Sequence, residues 1–255
     1  MIALTTDFGL TDPWVGIMKG VIATRAPGVP VIDVSHGIPP QDVLAGALVL
    51  RHAAPWFPPR TIHVAVVDPG VGSARRALCV ETERALFVGP DNGLLSLAAP
   101  ETAIRRVVEL TDERFFLAPR SRTFHGRDVF APVAAALATG VDPTALGTVR
   151  PDLERLVLPE PRRLGGTVSG EGIYVDRFGN LTTNLGPDAI PDGAARVRIG
   201  DAHTAGVGTS YAAVARGALV AVVNSWGLLE IALRDGSARE HLGARVGTPV
   251  TLEPA

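Results

Sequence analysis

The sequence predicts an α/β protein in two parts: a mostly parallel sheet with helices on both faces, then a smaller all-β module. Up to about residue 150, short apolar runs with strand character alternate with stretches of helical period. That order sets successive strands parallel, with helices crossing between them. Residues 156–166 sit in a stretch rich in Pro, Arg and Gly, which reads as a linker. Beyond it, apolar and polar residues alternate between turns, the period of half-buried strands in a small barrel or sandwich. The expected division is therefore 1–155, the linker 156–166, and 167–255.

The elements follow from local pattern. Ile2 to Thr5 reads as a strand, and Val15 to Arg25 as a helix that stops at Pro27-Gly28. Val29 to Val34 is a second strand and Asp42 to Ala53 a second helix. Ile62 to Val67 is a mostly apolar run of the buried type, as expected of a strand inside a parallel sheet. Next come a pair of runs, Ala77 to Glu81 and Ala85 to Val88, then a short helix near Leu94 and a strand from Ile104 to Leu110. Asp128 to Thr139 is an amphipathic helix that Gly140 ends. In the second part, strands are expected at Thr167 to Val175, Ala195 to Ile199, Leu219 to Val223, Leu228 to Leu233 and Pro249 to Leu252.

Composition narrows the function classes. The 255 residues carry 24 Lys and Arg against 26 Asp and Glu, a formal charge of -2, so no global field favours nucleic acid or an anionic membrane. Lys19 is the only lysine. Schiff-base chemistry elsewhere and a Gly-Lys-Ser/Thr phosphate loop are thereby excluded. Cys79, also alone, lies on an apolar strand and reads as a core residue. The chain opens directly on a strand, has no apolar stretch of membrane-spanning length, and is expected to be cytoplasmic.

The richest chemistry sits where strand 62–67 ends, in Val67-Asp68-Pro69-Gly70-Val71-Gly72-Ser73-Ala74-Arg75. Strand ends are where α/β proteins keep their sites. A dinucleotide fingerprint does not fit, because the third glycine position is Arg75 and a second strand follows instead of a helix. The plain alternative is a tight turn with a solvated arginine. Thr123-Phe124-His125-Gly126-Arg127-Asp128 supplies an imidazole just before an apolar helix. Thr5-Thr6-Asp7-Phe8-Gly9 puts a carboxylate at the end of the first strand, with Asp12, which suits a helix N-cap, in the same loop. Asp176-Arg177-Phe178-Gly179-Asn180 and Asn224-Ser225-Trp226-Gly227 follow later strands and each also reads as a simple turn.

Together with Gly89-Pro90-Asp91-Asn92-Gly93-Leu94-Leu95, these motifs occur in the order found in one family. Over nearly its whole length the chain resembles the S-adenosylmethionine hydroxide adenosyltransferases, water-using relatives of the bacterial fluorinase and chlorinase. The resemblance implies hydrolysis of S-adenosyl-L-methionine to adenosine and L-methionine by attack of water or hydroxide on the ribose 5′ carbon. Asp68, Arg75 and His125 match the catalytic trio, with Arg75 and His125 donating to the oxygen nucleophile and Asp68 orienting them or taking the proton. Halide-using relatives lack this charged set, so the hydroxide branch is favoured over halogenation.

The resemblance also assigns binding roles. Asp7 corresponds to the carboxylate on the ribose hydroxyls, and Asp176 and Asn180 to groups near the methionine amine. Ser225 corresponds to the donor to the methionine carboxylate, and Phe178 to a wall of the adenosyl site. Glu230 and Leu233 fall where the adenine edge is read. Asp12, Phe124 and Gly126 complete the candidate substrate-binding set. Two positions depart from the fluorinase pattern: Trp226 stands for an arginine and Gln41 for a stacking tryptophan. The implied fold is a Rossmann-like N-terminal domain with a C-terminal β-barrel, assembled as a homotrimer with active sites shared between subunits. Neither metal nor cofactor is implied, and the partner is the small-molecule substrate, with no nucleic acid or membrane. Two rival classes stay open: another hydrolase of adenosine-containing substrates, such as a nucleosidase, and a non-catalytic S-adenosylmethionine or adenosine sensor.

Overall fold

The computed structural model describes residues 1–190 and 196–254. The chain forms two units, Met1–Leu156 and Val157–Ala255.

In the first unit the elements run β1 (Ile2–Thr6), α1 (Trp14–Arg25), β2 (Val31–Ser35), α2 (Val43–Ala53), β3 (Thr61–Val66), β4 (Ala77–Thr82), β5 (Ala85–Pro90), β6 (Ile104–Leu110), α3 (Ala131–Ala138) and β7 (Gly147–Arg150). Their sheet has the order β2-β1-β3-β5-β4-β6-β7. The first four strands of that order are mutually parallel, whereas β4, β6 and β7 join by antiparallel pairing. Five of the seven strands (β1, β2, β3, β5 and β6) consequently share one direction.

Strand alternation decides what each face buries. Ile2 and Leu4 of β1 and Ile62, Val64 and Val66 of β3 pack into one core with Met18 and Ile22 of α1 and Val133 and Leu137 of α3. On the opposite face α2 comes so close that a Cβ on Gly46 would lie 3.0 Å from a methyl of Val67 and 2.8 Å from one of Leu94. Only glycine allows that approach.

Helix starts differ from expectation in instructive ways. Asp42 caps α2 by accepting from the Ala45 N–H at 2.9 Å. Asp12 does not cap α1: Pro13 occupies the cap position with no side-chain bond, and Asp12 is exposed. The short helix expected near Leu94 is a run of turns, because Gly93 takes φ of 93° and the Asn92 side chain captures the Leu94 N–H. The helix expected from Asp128 opens as a π turn, Gly126–Phe130, before α3. Gly140, with φ of 98°, follows its end.

The second unit comprises β8 (Arg162–Leu164), β9 (Thr167–Val175), β10 (Leu181–Thr183), β11 (Arg196–Ile199), β12 (Ala202–Thr204), β13 (Val207–Gly208), β14 (Leu219–Val223), β15 (Leu229–Leu233), α4 (Ala238–Leu242) and β16 (Pro249–Glu253). Ala195, which the sequence assigns to a strand, lies outside the described residues. The order β12-β11-β16-β9-β10-β15-β14-β13, with β8 alongside β9, makes one nearly closed, barrel-like sheet. Val168, Leu181, Val197, Ile231, Val250 and Leu252 fill its core from alternate strand positions. The segment read as a linker thus supplies an edge strand, β8, paired with β9. Among the described residues no helix is long and apolar enough to cross a membrane.

Candidate active site

The two strongest sequence signals in the first unit meet. Both nitrogen arms of Arg75 grip Asp68: Nε donates to Oδ1 at 2.9 Å, and Nη2 makes a short contact with Oδ2. Nη2 also lies 2.8 Å from Nδ1 of His125. The Asp68 and Arg75 side chains are only 5 % and 10 % exposed, and the guanidinium lies over the Phe130 ring, 5.5 Å from its centre. A bidentate pair of this kind holds both groups in one orientation, which a solvated turn arginine would not require.

Backbone contacts fix the loop that makes this meeting possible. Asn92 Nδ2 donates to the carbonyl of Val67 at 2.9 Å, anchoring the residue before Asp68. Gly72 has φ of 78°, and a Cβ there would stand 2.3 Å from the carbonyl oxygen of Arg122. On the other side, Asp128 is buried and accepts from Arg127 and from the Ser121 N–H at 2.7 Å. Arg127 in turn covers the Phe124 ring.

Electrostatics set the state of the imidazole. Burial lowers the His125 pKa below its usual value of 6.5, and the neighbouring Arg75 lowers it further, against an opposing pull from Asp68. A guanidinium has only donors, so Nδ1 must accept and the neutral ring carries its proton on Nε2.

Asp68 and His125 border a cleft of about 400 Å³ that Asp7, Phe124 and Gly126 also line. Trp14, which carries no signal in the sequence, and Gln41, which stands where the fluorinase has a stacking tryptophan, contribute to its walls. Trp14 meets Phe124 edge-on with ring centres 5.3 Å apart. Gln41 takes φ of 66°, and its N–H binds Asp7 Oδ2 at 2.8 Å. Asp12 is not among the residues lining this cleft.

Candidates in the second unit fall on two turns and on β15. Asp176 Oδ1 accepts from the N–H groups of Phe178 and Asn180 at 2.8 and 2.9 Å, and Asn180 Nδ2 donates to Oδ2 at 3.1 Å. The resulting tight loop leaves Phe178 76 % exposed. Gly179 is needed there, since a Cβ would collide with Ser237. Ser225 is exposed in the turn after β14. Leu233 ends β15, its carbonyl taken by the Gly236 N–H at 3.1 Å. Glu230 is buried, and its carboxylate is engaged by Tyr211, Asn224 and Thr182. Asn224 opens the Asn-Ser-Trp-Gly motif that the sequence singles out, whereas Tyr211 carries no site signal in the sequence.

Among the described residues no group of three or more His, Cys, Asp or Glu side chains is placed to hold a metal ion.

Comparison with known proteins bears on both units. Residues 2–147 match the model of the SAM hydroxide adenosyltransferase N-terminal domain, and residues 170–251 that of the C-terminal domain. A (R)-S-adenosyl-L-methionine hydrolase of Thermus thermophilus is 44% identical over 97% of this chain and 97% of its own. A fluorinase of Actinoplanes sp. is more distant, 29% identical over 72% of this chain and 71% of its own. Among solved structures, an uncharacterized conserved protein from Thermotoga maritima superposes with a TM-score of 0.91 at 35% identity, covering 99% of this chain and all of that one.

Proposed function

The chain belongs to the SAM hydroxide adenosyltransferase family, and from that premise we infer that it hydrolyses S-adenosyl-L-methionine to adenosine and L-methionine. The Thermus relative is named for the (R) substrate. Sulfonium sulfur is pyramidal, so with the adenosyl and methionine parts held in place its two epimers point the methyl group and the lone pair in different directions, and the substrate proposed is the epimer of R configuration.

What carries the reading is the Asp68–Arg75–His125 cluster at the edge of a cleft that also holds Asp7. Attack by water at C5′ breaks the carbon–sulfur bond, and methionine leaves as a neutral thioether. The leaving side therefore needs no acid. The task is to aim one oxygen in line with the bond being broken. With Nδ1 occupied, His125 offers an Nε2–H donor, which fixes a water oxygen without taking its proton. Bond formation turns that water into a protonated 5′-hydroxyl, a far stronger acid than any carboxylic acid. Asp68, though paired with Arg75, keeps lone pairs able to accept that proton. One water and the sulfonium cation thus give adenosine, methionine and a proton.

Asp7 is assigned to the ribose hydroxyls, a carboxylate being suited to accept from two adjacent donors. Asp176, Asn180, Phe178 and Ser225 are assigned to the methionine and adenosyl parts as the family resemblance implies, with Asp12, Phe124, Gly126 and Leu233 as lesser contacts. We further assign a homotrimer with sites shared between subunits, a Rossmann-like character for the first sheet, and a cytoplasmic location, which suits an unpaired thiol at Cys79.

Incubation of each sulfonium epimer in oxygen-18 water tests the reaction. Label should enter the 5′ position of adenosine from the R epimer, and added chloride or fluoride should give no 5′-halo product. Free adenine would instead indicate a nucleosidase. Asp68→Ala and Asp176→Ala proteins, each inactive, should regain activity when unfolded and reassembled together if subunits share sites. An active monomer in sedimentation would end the trimer assignment.

A further inference from the structure

Glu230 lies in β15 with 4 % of its surface exposed, and among the described residues its carboxylate bonds to Thr182, Tyr211 and Asn224, none of them cationic. Tyr211 Oη donates to Oε1 at 2.7 Å. Asn224 Nδ2 donates to Oε2 at 2.9 Å, and Thr182 Oγ1 approaches the same oxygen at 3.4 Å. Both oxygens are thus turned to neighbours within the unit, which leaves the side chain poorly placed to read an adenine edge.

What it holds is the next turn. The Asn224 side chain faces two ways: Nδ2 donates to Glu230 and, at 3.1 Å, to Thr182 Oγ1. Its Oδ1 accepts from the N–H groups of Trp226 and Leu228 at 2.9 and 3.2 Å. The Asn224 carbonyl accepts from Gly227 at 2.9 Å, and Gly227 takes φ of 74°. Ser225 is therefore presented by a turn whose backbone is tied to one amide, and that amide is tied to Glu230. The ring of Trp226, in the same turn, packs against Tyr174 with 5.0 Å between centres.

We propose that Glu230 is a positioning residue: through Asn224 it fixes the turn that presents Ser225 and so sets the affinity for the carboxylate of the substrate's methionine moiety. This rests on the assignment of Ser225 to that carboxylate, and the experiment separates the two. Buried hydrogen bonds to a charged group are worth enough that losing the anchor should cost about tenfold in affinity.

Steady-state kinetics would be measured on S-adenosylmethionine and on its decarboxylated analogue, for the parent, Ser225→Ala, Glu230→Met and Glu230→Gln. Met fills the space without accepting from Asn224. Gln can turn its oxygen to Asn224 and its amino group to Tyr211 Oη, preserving the anchor. The expected result is that Glu230→Met and Ser225→Ala each raise KM for S-adenosylmethionine about tenfold with kcat nearly unchanged, and leave KM for the decarboxylated analogue unaltered. Glu230→Gln should stay close to the parent. Equal losses on both substrates, or a Gln variant as damaged as Met, would overturn the proposal. If Ser225→Ala shifts the preference and Glu230→Met does not, the positioning role falls while the Ser225 assignment stands; if neither shifts it, both fall. Should Glu230→Met fail to fold, Asn224→Ala cuts the same link from its other end and is read by the same criteria.

Discussion

Nδ1 of His125 and Nη2 of Arg75 lie 2.8 Å apart, and because only one of them is able to accept, the arginine chooses the tautomer of the histidine. The proton then sits on Nε2, so the imidazole serves as a donor that steadies oxygen. Truncation should reveal that role kinetically. Arg75→Ala and His125→Ala should each lower kcat by about a hundredfold or more with little change in KM, as for donors whose interactions strengthen in the transition state. A His125→Ala protein with kcat within about twofold of the parent would remove it from the catalytic set.

The same contact predicts a pH profile. Burial first, and Arg75 second, hold the His125 pKa below 6.5, so the ring is neutral at and above neutral pH. Protonation would place an N–H against the guanidinium and break the arrangement, and activity should fall on the acid side with an apparent pKa below 6.5. Arg75→Gln removes one of the lowering influences and leaves the raising pull of Asp68. Its acid limb should move to higher pH; an unmoved limb in kcat/KM profiles would show that some other group controls it.

Asn92 offers a test of how the Asp68 strand end is held. Its amide nitrogen binds the Val67 carbonyl and its oxygen binds the Leu94 N–H. Asn92→Ala leaves a buried carbonyl without that donor and should cost about 1–2 kcal/mol of stability in urea unfolding. Activity at a temperature where the variant is fully folded should drop further than stability, since Asp68 follows directly. Unchanged kcat would mean that Pro69 and the Arg75 pair hold Asp68 alone.

These residues also mark where sequence reasoning succeeds and stops. The apolar run ending on Asp68 predicts a buried strand and a site at its end, since both facts are local. Arg75 and His125 are 50 residues apart, and chemical type alone suggests their meeting. Trp14 escapes notice because what places it in the cleft is a tertiary packing contact, and Gln41, marked in the sequence only as a departure from the fluorinase tryptophan, sits there with a positive φ that the sequence does not announce. Near Leu94 the apolar spacing suits a helix, but Gly93 at φ 93° breaks it, beside an Asn92 side chain tied to the Val67 carbonyl just past β3 and to the Leu94 N–H. Glu230 reads from the sequence as a polar group for a ligand. Three donors supplied by neighbouring strands and loops turn it inward instead.

His63 provides a stability test away from the cleft. It lies in β3 on the face opposite the α1–α3 core, 1 % exposed, with its ring stacked on Phe87 and edge-on to Phe57. Neither ring nitrogen has a hydrogen-bond partner among the described residues, and burial pushes its pKa down from 6.5 to about 4. Above pH 6.5 the ring is neutral whether the chain is folded or not, and it contributes no pH dependence. Between 6.5 and about 4 the unfolded chain binds a proton that the folded one refuses, so stability falls as pH falls, by about 3 kcal/mol over the whole window. Below about 4 both states are protonated and the loss levels off. In urea unfolding at pH 7 and pH 5, the parent should lose about 2 kcal/mol more than His63→Leu, because any packing cost of leucine is common to both pH values and cancels. Equal losses in the two proteins would mean that the folded chain admits a protonated His63.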